Sequence, residues 1–283
     1  MFSPAGQVER ERARPRRNRI GPLRFLSGHL RRLPDFIIIG VQKCGTTALY
    51  KYLEEHPDVL PALTKEIHFF DNNYHRRLTW YRAHFPASRF GAARGLTGEA
   101  SPSYFLHPLA PARVSVSTPA ARLVVVLRNP ADRAYSHYQH NVRKGRERMT
   151  FEQAIEVEEK RLDGKIEQLL ESVNYFVNYH QFSYLLRGIY AAQLQRWYAC
   201  FAPERILVLD NRDLLTDPSP TFRRALEFLS LSVWEPEYRI HHHYGYSGIE
   251  SSTRERLAAF FRPHNERLYE LMGHDFGWDR RTT

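Results

Sequence analysis

Short apolar runs recur along this chain, separated by longer stretches in which apolar positions return with a helical period. Asp35–Gly40, Arg122–Leu127 and Arg205–Leu209 are such runs, and RLVVVL at Arg122–Leu127 is the clearest. Continuity of this kind is what a strand covered on both faces requires, as in a parallel sheet flanked by helices. Gly98–Tyr104 reads as another strand end with the loop beyond it. The spacing predicts helices over Thr46–His56, stopping before Pro57, and around Leu78–Phe85. A third starts at Pro130, where proline suits a first turn, and runs through Ala134–Val142. Further helices are predicted over Phe151–Leu170, Tyr184–Phe201, Thr221–Leu229 (entered through Asp213–Asp217), and Ser252–Met272 around an interruption at Pro263. Thr64–Phe70 reads as a loop, and Trp234–Ser251 is the least regular stretch. Strands alternating with helices predict one α/β domain, a central parallel β-sheet with helices on its faces. No internal repeat is visible.

A chain of 283 residues, 42% hydrophobic and 25% charged, has the composition of an ordinary globular protein with room for one large core. Its net charge of +10 is unevenly placed. Residues 1–33 hold nine arginines against Glu9 and Glu11, a net +7. This stretch is expected to be a basic, disordered tail, with the folded domain over 34–283. Such a tail suits peripheral contact with an anionic membrane. Nucleic acid is not expected as a partner, because the folded part carries little of the excess. Cys44 and Cys200 make neither a disulfide framework nor a metal-binding spacing, which points to a reducing, cytoplasmic setting. No apolar run approaches the roughly 20 residues that span a bilayer, and no signal-peptide pattern opens the chain.

The chemistry concentrates after the first strand. Ile37-Ile38-Ile39-Gly40 leads into Val41-Gln42-Lys43-Cys44-Gly45-Thr46-Thr47-Ala48-Leu49, a strand–loop–helix layout carrying a lysine and two hydroxyls. Backbone N–H groups and a helix N-terminus in that layout cradle a phosphate or sulfate, with Lys43 as counter-charge. The order differs from the nucleotide-triphosphatase loop G-x-x-x-x-G-K-[ST], because here the lysine precedes the last glycine. A second constellation follows Leu123–Leu127: Arg128-Asn129-Pro130-Ala131-Asp132-Arg133-Ala134-Tyr135-Ser136. Arg128 falls at the carboxyl end of a parallel strand, where open α/β sheets bind ligands, and Ser136 lies about two turns along the next helix. A guanidinium fork with a hydroxyl suits a phosphate monoester, whereas a triphosphatase would want an acid there for Mg²⁺.

These residues resemble those of sulfotransferases of the carbohydrate-modifying type, closest in pattern to heparan sulfate N- and 3-O-sulfotransferase domains and their bacterial relatives. Gln42–Leu49 is similar to the family's 5′-phosphosulfate loop, and Leu127–Ser136 to its 3′-phosphate motif. Lys65-Glu66-Ile67-His68-Phe69-Phe70 is similar to the segment that holds the catalytic glutamate. Arg187-Gly188-Ile189-Tyr190, Leu207–Leu215 and Gly273–Trp278 follow the same course, so that the resemblance covers about residues 34–279. It implies a P-loop-like three-layer fold and 3′-phosphoadenosine 5′-phosphosulfate as sulfate donor, with no metal. Gln42, Lys43, Cys44, Gly45, Thr46, Thr47 and Ala48 would hold the phosphosulfate, and Arg128 and Ser136 the 3′-phosphate. Glu66 would be the general base for an acceptor hydroxyl or amine, with Lys43 stabilising charge on the leaving oxygen. His68 is the rival base. Cys44 reads as a small loop residue, Phe69-Phe70 and Tyr135/Tyr138 as core, and His241-His242-His243 as loop, since consecutive residues cannot all face one ion.

Three positions depart from the glycosaminoglycan enzymes. Ser247-Gly248-Ile249 stands where they carry a Lys-Gly-Arg stretch closing over the donor, so Ser247 and Gly248 would still approach the donor, Gly248 by its backbone, with two cationic contacts missing. Ala100 replaces the lysine that follows the glutamate in 3-O-type enzymes, and no cysteine lies between 201 and 283 to form the family's disulfide. These features imply a soluble enzyme of bacterial type whose acceptor is a carbohydrate or glycolipid other than heparan sulfate. A P-loop kinase or nucleotide hydrolase, or a non-catalytic anion or nucleic-acid binder, are the alternatives.

Overall fold

The computed structural model describes residues 20–87, 95–162, 176–238 and 248–278. In chain order its regular elements are α1 (Pro22–Leu26), β1 (Phe36–Gly40), α2 (Thr46–Glu54), β2 (Val59–Pro61), α3 (Leu78–Arg82) and β3 (Leu96–Ala100). There follow α4 (Ala110–Ser117), β4 (Arg122–Leu127), α5 (Pro130–Arg143), α6 (Phe151–Glu156), α7 (Glu158–Leu162) and α8 (Phe176–Phe182). The last are α9 (Tyr190–Tyr198), β5 (Ile206–Asp210), α10 (Asn211–Thr216), α11 (Pro218–Leu229) and α12 (Ser251–Met272). The strands form one sheet in the order β2-β3-β1-β4-β5, and every pairing is parallel.

That order places the functional edge. β1 is central, between β3 and β4; on one side β2 takes the edge and β3 is inserted between it and β1, and β4 and β5 then extend the other side. Because the strands are parallel, their carboxyl ends share one edge, and a reversal of strand order opens a crevice there. Residues 41–45 leave β1, residues from Ser101 leave β3, and Arg128 leaves β4, all at that edge. The strands are held by burial: all of β1 and all of β4 after Arg122 are cut off from solvent.

β4 has the bounds its apolar run predicts, and α5 starts at Pro130 with Asn129 as its cap, accepting from the N–H of Ala131 and Asp132. Other elements differ for local reasons. The helix expected over Tyr184–Phe201 begins only at Tyr190, after a 3₁₀ turn at Leu186–Gly188. Gly188 is pressed there against Phe261 and Pro130, so tightly that a Cβ would lie 2.8 and 2.9 Å from them. Phe151–Leu162 is two short helices, and 163–170 fall outside the described residues. α12 runs through Pro263 without a break, because a proline removes one hydrogen bond and tertiary packing of Leu257, Phe261 and Leu268 holds the rest. Residues 20–33 are not a loose tail. Arg24 donates to the Ala83 and Phe85 carbonyls, Arg31 to Phe85 and Arg32 to Gly95, which ties α1 to the domain. Residues 1–19 lie outside the described residues.

Candidate active site

The loop after β1 is shaped by two residues in the left-handed backbone region, Lys43 at φ 73° and Gly45 at φ 90°. Glycine is required at 45, since a Cβ would stand 2.6 Å from Asn211 Nδ2, which itself donates to the Cys44 carbonyl at 2.9 Å. Gly45 is the N-cap of α2, and no side chain caps that helix. Its first-turn N–H groups therefore point into the crevice ready for an anion, with Thr46, Thr47 and Ala48 forming the turn. Gln42 adds an amide whose buried Oε1 has no hydrogen-bond partner among the described residues. Cys44 is fully buried, and burial pushes its thiol up to about 11, which suits a loop-packing residue and not a nucleophile.

Lys43 sits in a strongly cationic surrounding. Burial, then Arg143, Arg128 and Arg133, pull its ammonium down to about 8. Arg128 reaches back from the end of β4 to donate to the Lys43 carbonyl at 3.4 Å, so the two motifs meet at one place. Ser136 is buried on α5, and one and two turns farther on the same stripe lie His140 and Arg143, both within the electrostatic reach of Lys43. The spacing of Ser136 singled out the helix, but His140 and Arg143 as crevice cations were legible only once α5 was seen to pass beside the loop.

The glutamate segment is strapped along the end of β3. The Glu66 N–H donates to the Ala100 carbonyl at 3.0 Å, the His68 N–H to Ser101 Oγ at 3.2 Å, and the Phe69 N–H to the Tyr104 hydroxyl at 2.8 Å. Glu66 (φ 61°) and His68 (φ 54°) both hold left-handed backbone, an uncommon and strained state for residues with side chains. The two side chains converge through this alternation of strained residues. Glu66 Oε2 is 3.8 Å from His68 Nε2, and Lys65 Nζ is 2.7 Å from Glu66 Oε1. On its far side His68 Nδ1 meets Asp71 Oδ2 at 2.9 Å, and Ser103 donates to the same oxygen at 2.5 Å. Exposure falls from 48% at Glu66 to 23% at His68 and 0% at Asp71.

The charges follow that gradient. Burial works to raise both carboxyls, but His68 and Lys65 hold Glu66 well below the ordinary range, and His68 with Ser103 does the same for Asp71. Burial also opposes charge on His68, yet Asp71 and Glu66 raise it to about 10. At neutral pH the row is carboxylate, imidazolium, carboxylate, with the outermost carboxylate facing the crevice. Asp71 and Ser103 were missed in the sequence. The i, i+3 spacing from His68 to Asp71 is a faint signal for one, and nothing local signals the other.

Ser247 and His241–His243 fall outside the described residues. Gly248 is exposed, with open space where a Cβ would be. Phe69, Phe70 and Tyr135 are core, as expected.

Comparison with known proteins gives the family and the fold. The sulfotransferase domain model matches residues 33–247. Human heparan sulfate glucosamine 3-O-sulfotransferase 3B1 is 34% identical over 281 residues, covering 90% of this chain and 67% of its own length. The human 3A1 enzyme is 33% identical, covering 88% of this chain and 63% of its own length, so the chain spans about two thirds of these relatives. The crystal structure of a sulfotransferase from Alicyclobacillus acidocaldarius superposes with a TM-score of 0.71 at 32% identity, covering 88% of this chain and all of that one. The chain is a member of the sulfotransferase domain family.

Proposed function

We propose that this sulfotransferase takes its sulfuryl group from 3′-phosphoadenosine 5′-phosphosulfate and passes it to a hydroxyl or amine of a carbohydrate or glycolipid. The observation that carries the reading is the meeting of Lys43, Arg128 and the Glu66–His68–Asp71 row at one edge of the sheet. The donor supplies an activated sulfuryl group whose S–O bond to the 5′-phosphate breaks as the bond to the acceptor forms. Residues 42–48 and the α2 N-terminus would hold the phosphosulfate, and Arg128 with Ser136 the 3′-phosphate. Lys43 would carry the negative charge that grows on the leaving oxygen. Glu66 would take the acceptor's proton, with His68 orienting it from behind and Asp71 fixing His68. The two human relatives named above are heparan sulfate glucosamine 3-O-sulfotransferases. Ala100, wholly buried at the end of β3, gives this chain no cation at that position, which supports an acceptor less anionic than heparan sulfate.

Thermal melting tests the donor. The 3′,5′-adenosine bisphosphate should raise Tm markedly more than Mg–ATP does, through binding to the folded state alone. Equal or larger stabilisation by Mg–ATP would overturn the reading. An acceptor screen with labelled donor, read by mass spectrometry, then identifies the product. Turnover on a neutral acceptor should change little with salt, whereas a polyanionic one would lose affinity steeply.

The reading includes contact of the N-terminal segment with anionic lipid. Leu23, Leu26 and Leu30 are 82%, 69% and 56% exposed, while Arg24 and Arg31 turn inward to backbone carbonyls. An outward apolar face next to the arginine-rich residues 1–19 suits a membrane surface bearing negative charge. Sedimentation with phosphatidylserine-containing vesicles should exceed that with phosphatidylcholine alone and should fall in Leu23→Glu/Leu26→Glu. Equal sedimentation with both would remove this element. Free thiols at Cys44 and Cys200 suit a reducing, cytoplasmic setting.

A further inference from the structure

Two guanidinium groups are enclosed in the protein with no carboxylate paired to either among the described residues. Arg133, on α5, and Arg187, in the turn Leu186–Gly188, expose no surface. Arg133 donates through Nη2 to the Tyr184 carbonyl, and its Nε and Nη1 have no partner. Arg187 shares one contact, Nη2 to His180 Nδ1 at 2.8 Å, and its Nε and Nη1 are likewise without partners. An arginine offers five N–H donors, and a buried one is normally paired with an acid.

The acids nearby are already committed. Glu158 lies within the field of Arg133, but its oxygens accept the N–H groups of Leu185 at 2.7 Å and Leu186 at 2.9 Å. Burial pushes Glu158 up to about 7, so at neutral pH it carries a fraction of a charge. Asp71, within the field of Arg187, is engaged by His68 and Ser103. The imidazoles in the cluster bring no negative charge. His137 keeps an unpartnered Nδ1, and His137 and His180 are driven toward neutrality, first by burial and then by these arginines. Burial and then Arg133 depress Arg187 itself to about 9.

A cost of this kind persists where the charge serves something else. The neighbouring element is the anion loop. Cys44 feels the charge of both arginines, and Lys43 that of Arg133. Since none of the four unpartnered nitrogens reaches solvent, no ligand can touch them, and their influence on the loop travels as a field through protein of low dielectric.

We propose that Arg133 and Arg187 form an unneutralised cationic pair that positions the donor's phosphosulfate over the Lys43 loop by field and not by contact, the bound donor being the counter-ion the pair lacks. This rests on the donor reading given above. Both are positioning residues, acting behind the loop that does the holding.

The test uses the full chain with Arg133→Met and Arg187→Met, measured by thermal melting with and without 3′,5′-adenosine bisphosphate and by steady-state kinetics. Replacing an unpaired buried charge by an apolar side chain of similar length should raise Tm without ligand. The same change should weaken the bisphosphate about tenfold and raise KM for the donor about equally, with KM for the acceptor unchanged. Arg→Lys at either position should keep most of the affinity. Glu158→Gln, which removes the nearby acid, should tighten bisphosphate binding several-fold at pH 8, and it serves if the methionine variants do not fold. Methionine variants that melt lower and bind the bisphosphate normally would make the arginines structural and overturn the proposal, as would weaker binding in Glu158→Gln. If wild-type protein gains nothing from the bisphosphate, the donor reading fails first and this inference falls with it.

Discussion

His68 places its Nδ1 2.9 Å from Asp71 Oδ2, a carboxylate with no exposure to solvent. The pair fixes the direction in which His68 points and keeps its charge, so Glu66 always has a cation behind it. Asp71→Asn should therefore lower kcat about a hundredfold while leaving bisphosphate binding close to wild type. The same pair makes stability depend on pH. With its pKa raised from 6.5 to about 10, His68 contributes stability that is fully present below about 6.5 and is lost as pH climbs through about 10. The Tm gap between wild type and Asp71→Asn should thus narrow steadily between pH 7 and pH 10. A gap that widens over that range would show that His68 is neutral in the folded protein.

Glu66 and His68 can be separated by what each variant spares. Glu66→Gln should cut turnover by about 10²–10⁴-fold with the donor site intact, the usual share of a general base. His68→Gln should reduce turnover less, since it removes orientation and not the acceptor of the proton. Near-normal activity in Glu66→Gln with none in His68→Gln would transfer the role of base to His68.

Lys43 gives a pH dependence of opposite origin. Its ammonium is charged below about 8, the value set by burial and the arginines around it, and only the charged form attracts the donor. Bisphosphate affinity should fall as pH rises through about 8, and Lys43→Arg should carry full affinity to higher pH because a guanidinium stays protonated. Titration calorimetry at pH 7 and pH 9 reads the difference directly.

Two truncations resolve the N-terminus. Removing residues 1–19 should leave Tm unchanged. Removing 1–33 should lower it by several degrees, because the Arg24, Arg31 and Arg32 contacts with Ala83, Phe85 and Gly95 go with it. Equal melting of the two would mean that α1 contributes nothing to the domain.

The parts of this protein legible in its sequence are those that local chemistry decides. β4 could be read because five apolar residues in succession had to be buried, and α5 because Asn129 and Pro130 open it. Lys43, Arg128 and Glu66 were legible as motifs, since loop shape and ligand chemistry both constrain neighbouring residues. Ser103, Arg143 and Arg187 owe their importance to distant partners that only the folded chain brings near, and Asp71, three residues from His68, left only a faint local signal. The 3₁₀ turn at Leu186–Gly188 was read as helix for the same reason: what breaks the helix is Phe261 and Pro130 pressing on Gly188. Residues 20–33 looked like tail because they are rich in arginine and poor in buried apolar positions, while in the fold Arg24, Arg31 and Arg32 find backbone carbonyls 50 or more residues away and Arg32 also pairs with Asp35.

Among the described residues other than glycine, a positive φ occurs at Lys43, Glu66, His68 and Ser230. At Glu66 and His68 that strain is offset by the ion pairs the two side chains make, and glycine at His68 would leave the buried Asp71 carboxylate without its cation. Lys43 has no such offset, since burial and Arg143, Arg128 and Arg133 all disfavour its charge, and glycine there would relieve about 1 kcal/mol of backbone strain as well. Mutant libraries sorted for heat resistance alone would accordingly drift toward glycine at Lys43, arriving at a well-folded protein that no longer transfers sulfate. Any programme to harden this enzyme has to hold that codon fixed, because here the ground the fold would most readily give up is the ground the reaction stands on.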